Sequence, residues 1–143
     1  MSLGEKRWWT YAAIVALVGT IYVVAVLREV GSTPAEDVAY QPLLLAAVGV
    51  GVVIGIVANI LLRIAATTAS PTGASQQDER DRDINRLGER VGGIVLAVAL
   101  VLPFGLALLD ARQFWIANTM YLAFSLSALA GSVAKVVLYR RGF

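Results

Sequence analysis

Four long apolar stretches, separated by short polar segments, constrain the fold of this chain more than any other feature of its sequence. They cover residues 8–27, 42–62, 91–109 and 114–138. Because an α-helix rises about 1.5 Å per residue, about 20 apolar residues match the hydrocarbon core of a bilayer, which is about 30 Å thick. Only 15% of the residues are charged, against roughly 25% in soluble domains. The sequence therefore predicts an all-α integral membrane protein, a single domain of four transmembrane helices over residues 1–143.

Aromatic residues at the start of the first span predict where it enters the membrane. Trp8, Trp9 and Tyr11 are expected at the level of the lipid headgroups, where aromatic belts form. The apolar run that they open is longer than that of a signal peptide, so we interpret it as an uncleaved anchor. A polar connection over residues 28–41 is expected to lead to the second span.

Pro103 lies inside the third span, where a proline removes one backbone hydrogen bond of the helix. Its ring also clashes with the preceding turn, so we expect a kink near Ala99. A tight turn at residues 110–113 leads into the fourth span, which carries Lys135 close to its far end. We expect this lysine to extend outward to the membrane surface, as lysines near span ends do.

The placement of lysine and arginine predicts the orientation of the spans. If both termini lie inside, only Arg28 and Arg112 lie on the outer side. The other basic residues then lie on the inner side: Lys6, Arg7, Arg63, Arg80, Arg82, Arg86, Arg90, Lys135, Arg140 and Arg141. Cytoplasmic segments of membrane proteins carry such an excess of positive charge. Both termini are therefore predicted to be cytoplasmic.

Residues 78–90, here called the charged segment, form the one dense block of charge in the sequence. Together with the linker before it, this segment makes up the predicted cytoplasmic part at residues 64–90. Ile84, Leu87 and Val91 recur at helical spacing, so we predict a short amphipathic helix that continues into the third span. Its expected ion pairs are Asp78–Arg82, Glu79–Arg82 and Asp83–Arg86.

The charged segment is the candidate recognition element for a protein partner. The residues predicted to make that contact are Asp78, Glu79, Arg80, Asp81, Arg82, Asp83 and Arg86. The alternative is a solvated, self-paired helix that only sets the membrane depth of the third span. Anionic lipid is disfavoured because acids and bases nearly cancel along the segment, and nucleic acid because the acids would repel phosphates. A metal site at Asp78, Asp81 and Asp83 is disfavoured because the glycine and closing glutamate of a calcium loop are missing.

Two spans carry small residues at four-residue spacing, which places them on one face of each helix. The small-residue face of the second span consists of Ala47, Gly51, Gly55 and Asn59, and that of the fourth span of Ala123, Ser127 and Gly131. Small residues let two helix backbones approach closely, and an asparagine can bond across the contact. The faces predict packing within the bundle, or assembly with a second copy or a larger membrane protein. The pattern does not decide between these.

The composition removes most enzyme classes. With no Cys and no His, the chain has no thiolate or imidazole metal ligand, no cysteine nucleophile and no Ser-His-Asp triad. We predict no catalytic residue, no metal and no cofactor. Ionisable groups, which many transporters hold at mid-membrane, are confined here to the span ends. A small transporter or lipid-handling protein for a neutral or apolar molecule is the alternative function, with its cavity near Asn59, Asn118 and Thr119.

Two motifs resemble a known family. The sequence DERDRDI at residues 78–84 and the sequence YRRG at residues 139–142 occur within the four-span layout. Together they resemble an uncharacterised family of small bacterial and archaeal predicted membrane proteins with a central DERD-x-x-I motif. Members of such families are often encoded near small helix-turn-helix regulators. The resemblance implies a multi-pass protein of a prokaryotic plasma membrane, and a regulatory pairing.

These observations favour a non-enzymatic function. We predict a small membrane-embedded interaction or regulatory protein, surrounded by membrane lipids and without a nucleic-acid partner. It would form a homo-oligomer or join a larger membrane protein through its small-residue faces. The charged segment would provide recognition.

Overall fold

The computed structural model describes residues 3–32, 39–67 and 74–141, and this part of the chain is helical throughout apart from short connections. Its helices are α1 (Leu3–Ser32), α2 (Tyr40–Thr67), α3 (Ala74–Ala99), α4 (Val101–Leu108) and α5 (Gln113–Arg140). Four stretches are long and apolar enough to cross a membrane: Trp8–Ser32, Tyr40–Val57, Glu79–Leu108 and Gln113–Arg140. The predicted all-α fold with four membrane-spanning candidates is confirmed. The arrangement is that of a multi-pass membrane protein.

The polar connections are shorter than predicted, because the helices extend into them. α1 continues through the start of the connection predicted at residues 28–41 and ends at Ser32, whose hydroxyl donates to the carbonyl oxygens of Arg28 at 3.2 Å and Glu29 at 3.1 Å. These bonds satisfy the polar side chain within the last helical turn. On the other side, α2 begins at Tyr40. The charged segment likewise belongs to α3, a single helix that enters the third span without a break.

The third span is interrupted where its proline predicts. α3 ends at Ala99, and α4 begins at Val101 after the single residue Leu100. The flanking bonds remain, from the Leu100 amide to the Leu96 carbonyl oxygen at 2.9 Å and from the Phe104 amide to the Leu100 carbonyl oxygen at 3.1 Å. Pro103 has no amide hydrogen to donate to the carbonyl of Ala99. α3 and α4 therefore form one helical rod that lacks a single backbone hydrogen bond, between Pro103 and Ala99.

The turn between α4 and α5 is a Schellman motif. The amide of Ala111 donates to the carbonyl oxygen of Leu106 at 2.9 Å, and the amide of Asp110 to that of Ala107 at 3.3 Å. Asp110 takes the left-handed conformation that the motif requires, with φ of 50°. Aspartate enters this region more readily than most residues other than glycine. The motif closes the helix end and lets α5 return beside α3.

α5 is the central helix of the bundle. It packs along α3 and α1 and also contacts α4, whereas α2 packs mainly against α1 at the edge of the bundle. A small apolar core of Tyr22, Val26 and Phe114 joins α1 to α5, and the first turns of α2 cover it. Most large apolar side chains of the described spans are exposed, which is the arrangement expected where helices face acyl chains.

Candidate interaction surfaces

α3 and α5 make close backbone contact along a row of small residues. A Cβ atom on Gly131 would lie 3.1 Å from the carbonyl oxygen of Gly88, and one on Gly92 would lie 3.1 Å from the carbonyl oxygen of Ser127. The Ser127 hydroxyl donates to the Gly92 carbonyl oxygen at 2.9 Å. We call Gly88, Gly92, Ser127 and Gly131 the glycine seam. Ala123 is also buried, with 2% exposure, so the small-residue face predicted on the fourth span lies inside this chain.

Lys135 is buried beside the glycine seam. Its exposed fraction is 6%, its stem lies where any side chain on Gly88 would have to go, and its Nζ lies 3.6 Å from the centroid of the Trp8 ring. Lys135 is therefore packed inside the bundle, and its predicted extension outward to the membrane surface stays a prediction. Gly88 leaves room for the lysine stem, and the face of Trp8 attracts the ammonium group.

Polar contacts join the beginning of α1, the charged segment and the end of α5 at one end of the bundle. Arg140 Nε donates to Glu5 Oε1 at 2.9 Å, and Glu5 is only 7% exposed. The Tyr139 hydroxyl donates to Asp81 Oδ1 at 2.7 Å. Ile84, fully buried, lies on the same face of α3 as Asp81. The inner face of the charged segment is therefore part of the bundle, and only its outer face is open to a partner.

The outer face carries Asp83, Arg86, Leu87 and Arg90. These four residues line an open depression of about 330 Å³. Asp83, Arg86 and Arg90 are exposed, and Leu87 is half-buried. Two guanidinium groups and one carboxylate thus surround an apolar side chain, a combination that suits a ligand with an anionic group and a nearby apolar part.

Two of the predicted ion pairs do not form. Among the side chains that the structure describes, no ion pair joins Glu79 to Arg82 or Asp83 to Arg86. Exposed pairs at this spacing gain only about 0.2–0.5 kcal/mol, too little to hold two side chains together in water. Asp83 and Arg86 are both exposed on the outer side of α3.

The other predicted recognition residues lie around the outer turns of α3. Glu79, Arg80 and Arg82 are exposed, while the Asp78 side chain, and with it the predicted Asp78–Arg82 pair, lies outside the described residues. Asp81 faces α5 and Asp83 faces outward, so these two carboxylates do not converge. Within the described part of the chain, no group of three or more acidic residues could hold a metal ion.

The small-residue face of the second span is covered only at its start. Ala47 packs against the core of Tyr22, Val26 and Phe114. One turn later Gly51 is exposed, and among the described residues a Cβ atom on Gly51 or on Gly55 would meet nothing within 4 Å. The side chain of Asn59 lies outside the described residues. This face therefore runs from the packed part of the molecule onto an open helix surface.

The polar residues considered for a transport cavity bond within the protein. Asn118 accepts from the Tyr22 hydroxyl through Oδ1 at 2.8 Å and donates from Nδ2 to the Phe114 carbonyl oxygen at 2.8 Å. The Thr119 hydroxyl is within 2.7 Å of the Trp115 carbonyl oxygen. Asn118 joins α1 to α5, and Thr119 bonds back into its own helix. Both side chains therefore have hydrogen-bond partners within the protein.

Sequence reasoning missed half of the glycine seam. Gly88 and Gly92 have the same four-residue spacing as Gly51 and Gly55, and the same search would have found them. Gly88 lies among charged residues, outside the predicted third span, where the sequence indicates a solvated helix and not a contact between helices. The role of Glu5 carried no comparable signal, because its partner Arg140 lies at the other end of the sequence.

No family model, curated protein or solved structure matches this chain. Two open surfaces are the candidate sites of function among the described residues: the outer face of the charged segment and the face of α2 that continues past Ala47.

Proposed function

We propose that this chain is a small, non-enzymatic membrane protein that assembles with itself or with a larger membrane protein, and that a partner recognises its charged segment. One observation carries the proposal. The glycine seam uses the small-residue face of α5 within the chain, whereas the matching face of α2 continues past Ala47 onto an open surface at Gly51. Two faces of similar composition thus have different surroundings, and the α2 face is the one available for a second helix.

The orientation belongs to the same proposal. The beginning of α1, the charged segment and the end of α5 lie at one end of the bundle, joined by the Glu5–Arg140 and Asp81–Tyr139 contacts. This end also carries most of the basic residues, which favours the cytoplasmic side of a prokaryotic plasma membrane for both termini. The resemblance of residues 78–84 to the DERD-x-x-I family supports a regulatory pairing with a partner there.

Replacing Gly51 by leucine is expected to disrupt assembly through α2. The leucine side chain would hold a second helix away from the backbone of α2, where close approach requires a small residue. We expect the particle extracted under mild conditions to fall from an oligomeric to a single-chain mass in native mass spectrometry. Gly49→Leu is the matched control, because Gly49 lies on the opposite side of α2 and its surroundings are equally open. A wild-type particle of single-chain mass, without a second protein, would contradict assembly.

Reversing two charges tests recognition by the charged segment. Arg82→Glu together with Arg86→Glu is expected to abolish recovery of a stoichiometric protein partner. Both positions are exposed, and the two glutamates would repel the acidic groups of a partner that the arginines attract. Co-purification from the native membrane, with identification of the components, measures this loss. Helix content and thermal stability should stay near wild type, and Arg28→Glu at the opposite end should leave the partner bound. Unchanged recovery in the double variant would show that recognition lies elsewhere.

A further inference from the structure

Charge on α3 is sorted by face, in a way that the linear sequence hides. Along the charged segment acids and bases nearly cancel. Asp81, however, is turned inward and accepts a bond from Tyr139, and Glu89 does not line the outer depression. That depression has Arg86 and Arg90 on its rim against a single acid, Asp83. The local charge is therefore positive, although the segment as a whole is balanced.

The predicted start of the third span sets the depth at which these residues are expected in the membrane. Arg90 directly precedes the apolar stretch predicted at residues 91–109. Arg86 lies one turn farther out, about 6 Å along the helix axis. The headgroup layer on each side of a bilayer is about 5–7 Å thick. If the membrane begins at Val91, as the sequence predicts, the two guanidinium groups would lie at the level of the lipid phosphates. Beyond Asp83, the next acid outward on this face is Glu79, about two helical turns from Arg86.

An apolar track continues from the depression toward the bilayer centre. Leu87, Ile94, Val98 and Val101 follow one another on the same side of the α3–α4 rod. Ile94 is 60% exposed, Val98 70% and Val101 66%. A lipid whose phosphate lies between the arginines can lay one acyl chain along this track.

We propose that the depression lined by Asp83, Arg86, Leu87 and Arg90 binds an anionic phospholipid with a hydroxyl-bearing headgroup. The phosphate accepts hydrogen bonds from the Arg86 and Arg90 guanidinium groups, which match phosphate geometry. The Asp83 carboxylate accepts a hydrogen bond from the headgroup hydroxyl. The upper part of the acyl chain packs on Leu87. A volume of about 330 Å³ leaves room for a phosphate and a glycerol group.

This inference goes beyond the proposed function and does not depend on it. Arg90 is not among the residues predicted to recognise a protein partner. A variant at Arg90 therefore tests the lipid site separately from partner binding, whereas Arg86 belongs to both.

The test is native mass spectrometry of the full chain in detergent, titrated with phosphatidylglycerol, phosphatidylcholine or glycerol phosphate. We expect one phosphatidylglycerol to bind more tightly than phosphatidylcholine. Arg86→Gln and Arg90→Gln should each weaken it about fivefold, because one arginine near the membrane surface contributes about that much to binding of an anionic lipid. Arg141→Gln, which removes an exposed arginine at the same end of the bundle, is the matched control and should bind as the wild type does. Circular dichroism confirms that each variant is folded.

Three results would overturn the proposal. The first is equal affinity of wild type and Arg90→Gln for phosphatidylglycerol. The second is phosphatidylcholine bound as tightly as phosphatidylglycerol, which would show an apolar site without selection for charge. The third is glycerol phosphate that competes as well as the whole lipid, which would assign the site to a soluble phosphate.

Discussion

Replacing Gly92 by valine is expected to lower the free energy of unfolding by about 1–3 kcal/mol, the usual cost of forcing extra atoms into a packed contact. A Cβ atom at this position would lie 3.1 Å from the carbonyl oxygen of Ser127 and 3.6 Å from the Cα atom of Gly131. Both neighbours are backbone atoms, so they cannot turn aside. α3 and α5 would have to separate, and the Ser127–Gly92 hydrogen bond of 2.9 Å would be strained or lost.

The adjacent glycine provides the control. A Cβ atom on Gly93 would meet nothing within 4 Å, so Gly93→Val adds the same side chain to the same helix without entering the seam. Unfolding of both variants in detergent, followed by circular dichroism during titration with a denaturing detergent, measures the difference. We expect Gly92→Val to unfold first and Gly93→Val to remain close to wild type. Equal stability of the two variants would contradict the glycine seam.

Replacing Trp8 by leucine is expected to cost about 2–4 kcal/mol, from the loss of a desolvated cation–π contact and of aromatic packing. Lys135 is only 6% exposed, and the Trp8 ring lies 3.6 Å from its ammonium group. Leucine has no negative ring face to offer, so the buried charge would lose part of its stabilisation. The edge-to-face contact of Trp8 with Tyr11, with ring centroids 5.9 Å apart, would also disappear.

Trp9 is the matched comparison for this change. It is 45% exposed, and the Arg140 guanidinium carbon lies 5.6 Å from its ring centroid. Trp9→Leu is expected to cost less than about 1 kcal/mol, the range of exposed cation–π contacts. Both variants can be compared by thermal unfolding in the same detergent. A larger loss in Trp9→Leu than in Trp8→Leu would mean that the buried lysine does not depend on Trp8.

The four spans were predictable because the length of each apolar stretch can be read directly from consecutive residues. Each apolar stretch had to become a helix, since only a helix satisfies its own backbone within lipid. The interruption before Pro103 was predictable for the same reason: the missing amide hydrogen acts within a single turn. These features need no knowledge of which helix packs beside which.

The choice of helix partners was not predictable, because it depends on contacts between distant residues. Ala123, Ser127 and Gly131 resemble the face that begins at Ala47, yet only the face on α5 meets a row of small residues on α3. The environment of Lys135 is decided by Trp8, far away in sequence, and by the space that Gly88 leaves. The sequence indicates that a lysine lies near a span end, but not that a glycine on another helix makes room for it.

The continuity of α3 has a mechanical consequence. A helix without a break behaves as a stiff rod, and bending concentrates where a backbone hydrogen bond is missing. From Ala74 to Ala99 the rod joins the charged segment to the glycine seam, and its first weak point is Leu100. A tilt imposed on the outer turns of α3 would therefore reach α5 through Gly88 and Gly92, because these residues lie before the point at Leu100 where the rod can bend. Because Gly88 and Gly92 lie on the same unbroken helix as the outer turns of α3, a displacement of those turns would act directly on the contact between α3 and α5.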